Sequence, residues 1–239
     1  MPHEQITLYT SKLCPYAQRT EIALAEAGAP FKRYEIDLGN KPEWYAPKVN
    51  PASKVPAIAY GGPDVPPENA SPESTKLAES LILDEFIGDL YPSSGIVPAD
   101  PVLRAKARFF IEIVSIKLNP NSTKFLHGNP EGTHAALLAG VDAIQDLLPE
   151  GVKYAVNDQY TIADIAFAPF WARLNLLVQK GIGSYKDEER KKFLKGLEDP
   201  KYAKFNGYVQ RLLARESFKS TFDEDVVAEA FIGRFGLPN

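Results

Sequence analysis

The chain has 239 residues, 44% of them hydrophobic and 24% charged, which is long for one core and enough for two. Its 27 basic and 31 acidic residues leave a formal charge of −4, and its basic run, Arg190-Lys191-Lys192, follows Asp187, Glu188 and Glu189 as a solvated helix face would, so no nucleic-acid partner is expected. No stretch reaches the roughly 18–20 apolar residues of a membrane span, the single cysteine rules out an intrachain disulfide, and Cys14 with His3, His127 and His134 offers no metal-ligand spacing.

Residues 1–9 hold no apolar run of leader length. With one unpaired cysteine, a reducing cytoplasm is the expected location. Gln5 to Tyr9 alternates and predicts a strand. Cys14-Pro15-Tyr16-Ala17-Gln18-Arg19 opens a helix that runs to Ala27 and stops at Gly28. Phe31 to Leu38 alternates again, so the chain begins β-α-β. A polar segment containing Lys41-Pro42-Glu43-Trp44 follows. Val55 to Tyr60 predicts a third strand, with Pro56 at its start, where a missing N–H does least harm. Residues 61–74 are rich in Gly, Pro, Ser and acid and predict an exposed loop. Thr75 to Ala78 returns as a hairpin partner, and Glu79-Ser80 opens an apolar helix to Leu90. Residues 91–100 predict a linker.

Beyond the linker no segment alternates. Helices are predicted over 101–118, 133–148, 162–180, 186–197 and 201–214. The expected architecture is therefore a small α/β domain over 1–92 and an all-α domain over 101–239. Thr161-Ile162-Ala163-Asp164 is a capping box with Asp in the place of Glu or Gln, which assigns it to stability.

The chemical signal is Cys14. Pro is favoured at the first position of a helix, so Pro15 puts Cys14 at the N-cap. There the unpaired N–H groups and the positive end of the dipole favour a thiolate. Arg19 adds positive charge about one turn along. The competing reading is a buried structural cysteine. Position 17, where a redox pair would place its second cysteine, is Ala17. A mixed disulfide on Cys14 therefore needs a thiol from solution, and glutathione is the abundant cytosolic candidate.

These residues resemble an omega-class glutathione transferase. The resemblance is carried by Cys14-Pro15-Tyr16-Ala17-Gln18-Arg19, Asn40-Lys41-Pro42-Glu43-Trp44, Asn50-Pro51 with Lys54-Val55-Pro56, Glu79-Ser80, and Thr161 to Ala166. It implies a thioredoxin-like domain that binds glutathione, a helical domain that shapes the acceptor pocket, and a homodimer. It also implies roles for single residues. Cys14 forms the mixed disulfide, Lys41 meets the glycyl carboxylate, and Val55, before a cis Pro56, pairs its backbone with the cysteinyl part. Glu79 and Ser80 hold the γ-glutamyl end. A strand edge suits a peptide ligand, and a helix N-terminus suits a carboxylate.

The acceptor site needs apolar walls. Tyr16 is the first candidate, and the helical half offers Phe125, Leu126, Phe167, Phe170, Trp171 and Arg173, each of which core packing explains equally well. Small aromatic, thioether or disulfide substrates fit such walls. Two other activities stay open. One is glutathione conjugation or peroxidase chemistry, with Ser11 or Cys14 orienting the bound thiol. The other is ligandin-like binding of aromatic molecules in the cleft between the domains. Relative to the family, the connection at 61–74 is long and Pro-rich.

Overall fold

The computed structural model describes residues 4–128 and 133–236; His3 lies outside them. Contacts divide the chain into two compact units that meet at Val97 and Pro98.

The first unit is a four-stranded sheet of β1 (Ile6–Thr10), β2 (Lys32–Glu35), β3 (Ala57–Tyr60) and β4 (Thr75–Ala78), in spatial order β2-β1-β3-β4. β1 and β2 are parallel, with Leu8 opposite Arg33. β3 runs antiparallel to both neighbours, with Ile58 opposite Leu8 on one side and Leu77 on the other. β1 is central and wholly buried, as its apolar run requires. β2 is shorter than its alternation predicts. It pairs on the β1 side alone, β1 ends at Thr10, and the last contact between them is Ile36 N–H donating to Thr10 O at 2.8 Å. Its Lys32, Arg33 and Glu35 are exposed, which suits an edge strand.

Three helices belong to this unit: α1 (Pro15–Glu26), the short α2 (Tyr45–Lys48) and α3 (Ser80–Leu90). α1 and α3 pack on each other and on the sheet face that carries Thr10 and Tyr60. Thr10 Oγ1 donates to Glu21 of α1 at 2.8 Å, and the Tyr60 ring meets Phe86 of α3 edge-on. The opposite face carries Tyr9, Ala57 and Ala59, which cluster with Tyr45, Val49 and Val55.

The segment 61–74 is the largely exposed loop its composition predicts, but it is tied down on one side. Tyr9 Oη donates to Pro67 O at 2.7 Å, Gln5 Nε2 donates to Gly62 O and Pro63 O, and Ser71 and Ser74 are buried. Ala70 packs against the Tyr9 cluster. The segment is a strap over the second sheet face. A buried tyrosine hydroxyl must find an acceptor, and the strap's carbonyl is that acceptor.

The second unit is helical: α4 (Pro101–Ile113), α5 (Asn119–Leu126), α6 (Thr133–Leu147), α7 (Ile162–Gln179), α8 (Asp187–Leu197), α9 (Ala203–Leu213), α10 (Glu216–Lys219) and α11 (Glu224–Phe235). Asp100 caps α4 by accepting from the N–H groups of Val102 and Leu103. A wide π turn, Val114–Leu118, joins α4 to α5. Pro120 has no N–H to continue a straight helix there, and a π turn absorbs the mismatch. α6 crosses this turn at Gly140, where a Cβ would come within 2.8 Å of Lys117 O.

The predicted capping box is present. Asp164 Oδ2 accepts from Thr161 N–H at 2.8 Å, and Thr161 Oγ1 accepts from Ala163 N–H. Asp164 is fully buried and also accepts from Ala155 N–H and Tyr208 Oη, both at 2.9 Å. α5, α10 and α11 were not legible in the sequence. α11 buries only Val227 and Ala228, too few for a strong periodic signal.

Candidate functional site

Cys14 is the N-cap of α1, with extended backbone angles and Pro15 at the first helical position. Its N–H donates to Ser11 O at 3.0 Å, which closes the turn between β1 and α1. The thiol is half-buried and lies 3.8 Å from Val55 O. The Val55–Pro56 peptide bond is cis. β3 accordingly begins at Ala57, after the prolyl residue that cannot donate.

Cys14 lines a cavity of about 430 Å³ together with Tyr16, Lys41, Val55, Pro56, Glu79 and Ser80, and with Leu38, Asn50 and Lys54. That volume falls within the roughly 300–1,000 Å³ of small-molecule sites. Four connections bring these residues together across 66 positions of sequence. Asn50 ties the loop before β3, accepting from Ala52 N–H at 3.1 Å and donating to Lys54 O at 2.9 Å. Tyr45 Oη donates to the same carbonyl at 2.7 Å. Burial pushes the Tyr45 phenol well above its ordinary range, so it stays a donor. Lys41 Nζ donates to Ser53 O at 2.6 Å. Glu79 is held at φ +73°, a left-handed conformation uncommon for a residue with a side chain. It turns the chain from β4 into α3, leaving Ser80 as the first residue of that helix.

Leu38, Asn50 and Lys54 had no assigned role in the sequence reading. Asn50 and Lys54 lie in the segment ending at Pro56, so their motif was visible while their direction was not. Ser11 is buried and is not among the cavity-lining residues. It acts here through its backbone carbonyl, because the tight turn to Cys14 uses that group.

The helical candidates divide: Phe125, Phe167, Trp171 and Arg173 lie in the packed interior of their own unit, while Leu126 and Phe170 are half-buried. Phe125 is fully buried, 5.0 Å from Tyr185 and 5.5 Å from Phe193 by ring centres. Trp171 stacks on Phe167 at 5.8 Å and meets Phe205 edge-on at 4.7 Å. Arg173 is buried, donating to Pro169 O at 3.0 Å with its guanidinium over the Phe222 ring. Their faces are taken up by core neighbours. A separate apolar cavity of about 510 Å³ on this unit is lined by Val102, Lys106, Phe109, Leu147, Pro149 and Val156 among others.

Beneath the first cavity lies Arg19, also buried. Its Nη1 donates to Ser80 Oγ at 3.4 Å, and its guanidinium sits 5.4 Å from the Tyr16 ring centre. Burial pulls this guanidinium down to about 10, while the charges of Asp84, Tyr16 and Cys14 act in the other direction. Among the described residues, no cluster of three His, Cys, Asp or Glu side chains is arranged to hold a metal. What the cavity offers is a sulfur at a helix mouth, an adjoining backbone carbonyl, two lysines, one carboxylate and a helix N-terminus. Those groups suit a short peptide thiol that carries carboxylates and an ammonium group.

The family descriptions "Glutathione S-transferase, N-terminal domain" and "Glutathione S-transferase, C-terminal domain" match residues 8–94 and 131–211. Glutathione transferase Omega 1C from Trametes versicolor is 56% identical, with a TM-score of 0.91 over 97% of both chains. Omega 2S of the same fungus, solved in complex with 2,4-dihydroxybenzophenone, is 42% identical with a TM-score of 0.88, covering 95% of this chain and 97% of that one. Glutathione S-transferase omega-1 of Mus musculus is 28% identical over 184 residues, 75% of this chain and 71% of its own length.

Proposed function

The chain belongs to the omega class of the glutathione transferases, and from that premise we propose that it is a thiol transferase which removes glutathione from mixed disulfides through Cys14. The observation that carries the proposal is a lone cysteine, half-buried at the N-cap of α1, lining one cavity with Lys41, Val55, Glu79 and Ser80.

The Cys14 thiolate attacks the glutathionyl sulfur of a substrate R–S–S–G. A Cys14–glutathione disulfide forms as the original S–S bond breaks, and the substrate thiolate leaves and takes up a proton. A second glutathione thiolate attacks the glutathionyl sulfur, releasing oxidised glutathione and restoring the Cys14 thiolate. The sum is one mixed disulfide plus one glutathione giving one thiol plus one oxidised glutathione. With an activated glutathionyl thioether G–S–R, attack on sulfur breaks the C–S bond and R leaves as a carbanion that takes up a proton, after which a second glutathione releases oxidised glutathione as before; dehydroascorbate reduction consumes two glutathiones and gives ascorbate and oxidised glutathione.

The neighbours position the peptide. The Val55 backbone edge receives the cysteinyl part, Lys41 the glycyl carboxylate, Ser80 and the α3 N-terminus the γ-glutamyl carboxylate, and Glu79 the ammonium group. Ser11, being buried, is a poor candidate for orienting a conjugating thiol. A homodimer in the cytoplasm completes the reading. Val102 and Phe109, exposed two turns apart on α4, suit self-association, and no described helix is long and apolar enough to cross a membrane.

A second reading, ligand binding, is favoured by the hydroxylated benzophenone bound to the 42%-identical relative and by the apolar cavity beside Phe109. It is compatible with turnover. Mass spectrometry after incubation with oxidised glutathione tests the first reading. One glutathionyl group on Cys14, released by glutathione, is the expected result; an unmodified Cys14 refutes it.

A further inference from the structure

Side chains address the three successive carbonyls that lead into β3. Lys41 Nζ donates to Ser53 O at 2.6 Å, and Val55 O lies 3.8 Å from the Cys14 sulfur. Between them, Lys54 O takes two donors: Tyr45 Oη at 2.7 Å and Asn50 Nδ2 at 2.9 Å. One donor satisfies a carbonyl, whereas two occupy both of its lone pairs and fix its orientation. Tyr45 is 0% exposed, and its ring lies 5.8 Å from Tyr9 and 6.1 Å from Trp44 by ring centres. A phenylalanine would fill the same space without the cost of burying a hydroxyl. Packing therefore accounts for the ring, and the hydroxyl goes to a carbonyl that Asn50 already serves. Tyr45 is not among the residues lining the cavity, so it acts on the cavity wall through Lys54.

We infer that Tyr45 is a positioning residue: its hydroxyl, together with the Asn50 amide, holds the Lys54–Val55 peptide so that the Val55 N–H is aimed into the cavity at the backbone of the glutathionyl group. The inference rests on the reading of this cavity as a glutathione site.

The direction follows from the planarity of the peptide unit. The Lys54–Val55 bond is trans. In a trans unit the C=O and the following N–H point to opposite sides. Lys54 O points at Tyr45, which belongs to the buried cluster with Tyr9, Val49 and Ala57. The Val55 N–H accordingly points away from that hydroxyl, on the side of the cavity that Val55 lines. An N–H and a C=O on one residue are the pair that receives a bound peptide strand, and Val55 O, beside the sulfur, is the second of them. If the peptide plane turns, the N–H leaves that direction and the cysteinyl part of the ligand loses a hydrogen bond. The Cys14 thiol stays where it is, because its place is set by the N-cap of α1.

The test separates recognition of the peptide from reactivity of the sulfur. Rates of disulfide exchange at Cys14 are measured in wild type and Tyr45→Phe with two disulfides: oxidised glutathione, which carries a peptide backbone, and bis(2-hydroxyethyl) disulfide, which has none. Each reaction forms one mixed disulfide on Cys14 and releases one thiol. Tyr45→Phe keeps the ring, and Asn50 still serves the carbonyl, so the fold is expected to hold. The rate with subsaturating oxidised glutathione is expected to fall about fivefold, through weaker binding at an unchanged limiting rate. The rate with bis(2-hydroxyethyl) disulfide is expected to keep its wild-type value. An unchanged ratio of the two rates in the folded variant, whether both hold or both fall, overturns the inference. A second measurement needs no variant: hydrogen exchange at the Val55 amide of the wild type is followed by NMR as S-methylglutathione, which cannot form a disulfide, is added. That amide is expected to gain protection, and its failure to do so overturns the inference even where Tyr45→Phe does not fold. A wild-type Cys14 that reacts with oxidised glutathione no faster than with bis(2-hydroxyethyl) disulfide sinks the glutathione reading and this inference with it. A wild-type preference for oxidised glutathione that Tyr45→Phe retains in full sinks this inference alone.

Discussion

The α/β unit keeps its chemistry at the ends of its elements, whereas the helical unit keeps its most distinctive side chains in the middle of them. Cys14 caps α1, Val55 and Pro56 precede β3, and Glu79 and Ser80 mark the passage from β4 to α3. At such junctions the backbone has unpaired groups and side chains point away from the packed faces, so a ligand can reach them. Phe125 and Trp171 lie on helices whose neighbours surround them, and α7 is buried on almost every side. An aromatic residue there is held by other rings before any ligand arrives. The two units thus separate polar residues that line a cavity from apolar residues enclosed by one another.

The sharpest way to break this contrast is Cys14→Ser. Thiol transfer is expected to fall by on the order of a thousandfold or more, with thermal stability nearly unchanged, since the side chain is half-buried and near-isosteric. Steady-state assay beside thermal denaturation checks both halves, and retained activity would remove the basis for the mechanism. Phe125→Ala should do the reverse. It empties a fully enclosed space between Tyr185 and Phe193 and should cost about 3–5 kcal/mol in urea unfolding, while glutathionylation of Cys14 in the folded fraction persists. A mild stability loss with a large change in acceptor specificity would return Phe125 to the pocket.

A smaller effect concerns Asp164 in the core of the helical unit. Burial raises its carboxyl to about 6, although four hydrogen bonds pull it down. The folded state therefore holds this proton at pH values where the unfolded chain, near 4, has lost it. Stability contributed by Asp164 is greatest below about 4 and declines as the pH rises to about 6, by about 3 kcal/mol. Asp164→Asn should flatten that decline in urea midpoints measured at pH 4.5, 5.5 and 6.5, and an identical slope in the two proteins would contradict the assignment. Smallest is Lys41→Ala. An exposed lysine contributes about 1 kcal/mol to a bound carboxylate, so KM for glutathione should rise by roughly fivefold with kcat little changed. A fall in kcat of the same size would place Lys41 in the chemical step instead.

Much of the first unit was legible because its signals are local. Pro15 after Cys14 announces an N-cap, Gly28 at φ +60° ends α1 as read, and the alternation around Pro56 locates β3. The exposed loop at 61–74 was read as such, but its ties to the sheet were not legible, because Pro, Gly and acid report solvent exposure only on average. Nothing in residues 61–74 says that Tyr9, more than fifty positions away, needs an acceptor. Asp84 was passed over for a related reason: an acid beside Glu85 in an apolar helix looks like a solvent-facing position until α1 covers it.

Element type, the N-cap cysteine and the absence of a resolving thiol follow from the amino-acid order, because propensity, capping and a residue count act within a turn or two of chain. That Cys14, Lys41, Val55 and Ser80 share one cavity, that Arg19 and Asp84 are both buried, and that Phe125, Phe167 and Trp171 are spent on their own core were decided by the tertiary structure. Those relations depend on which faces of distant elements meet, and that choice is made by packing the whole chain at once.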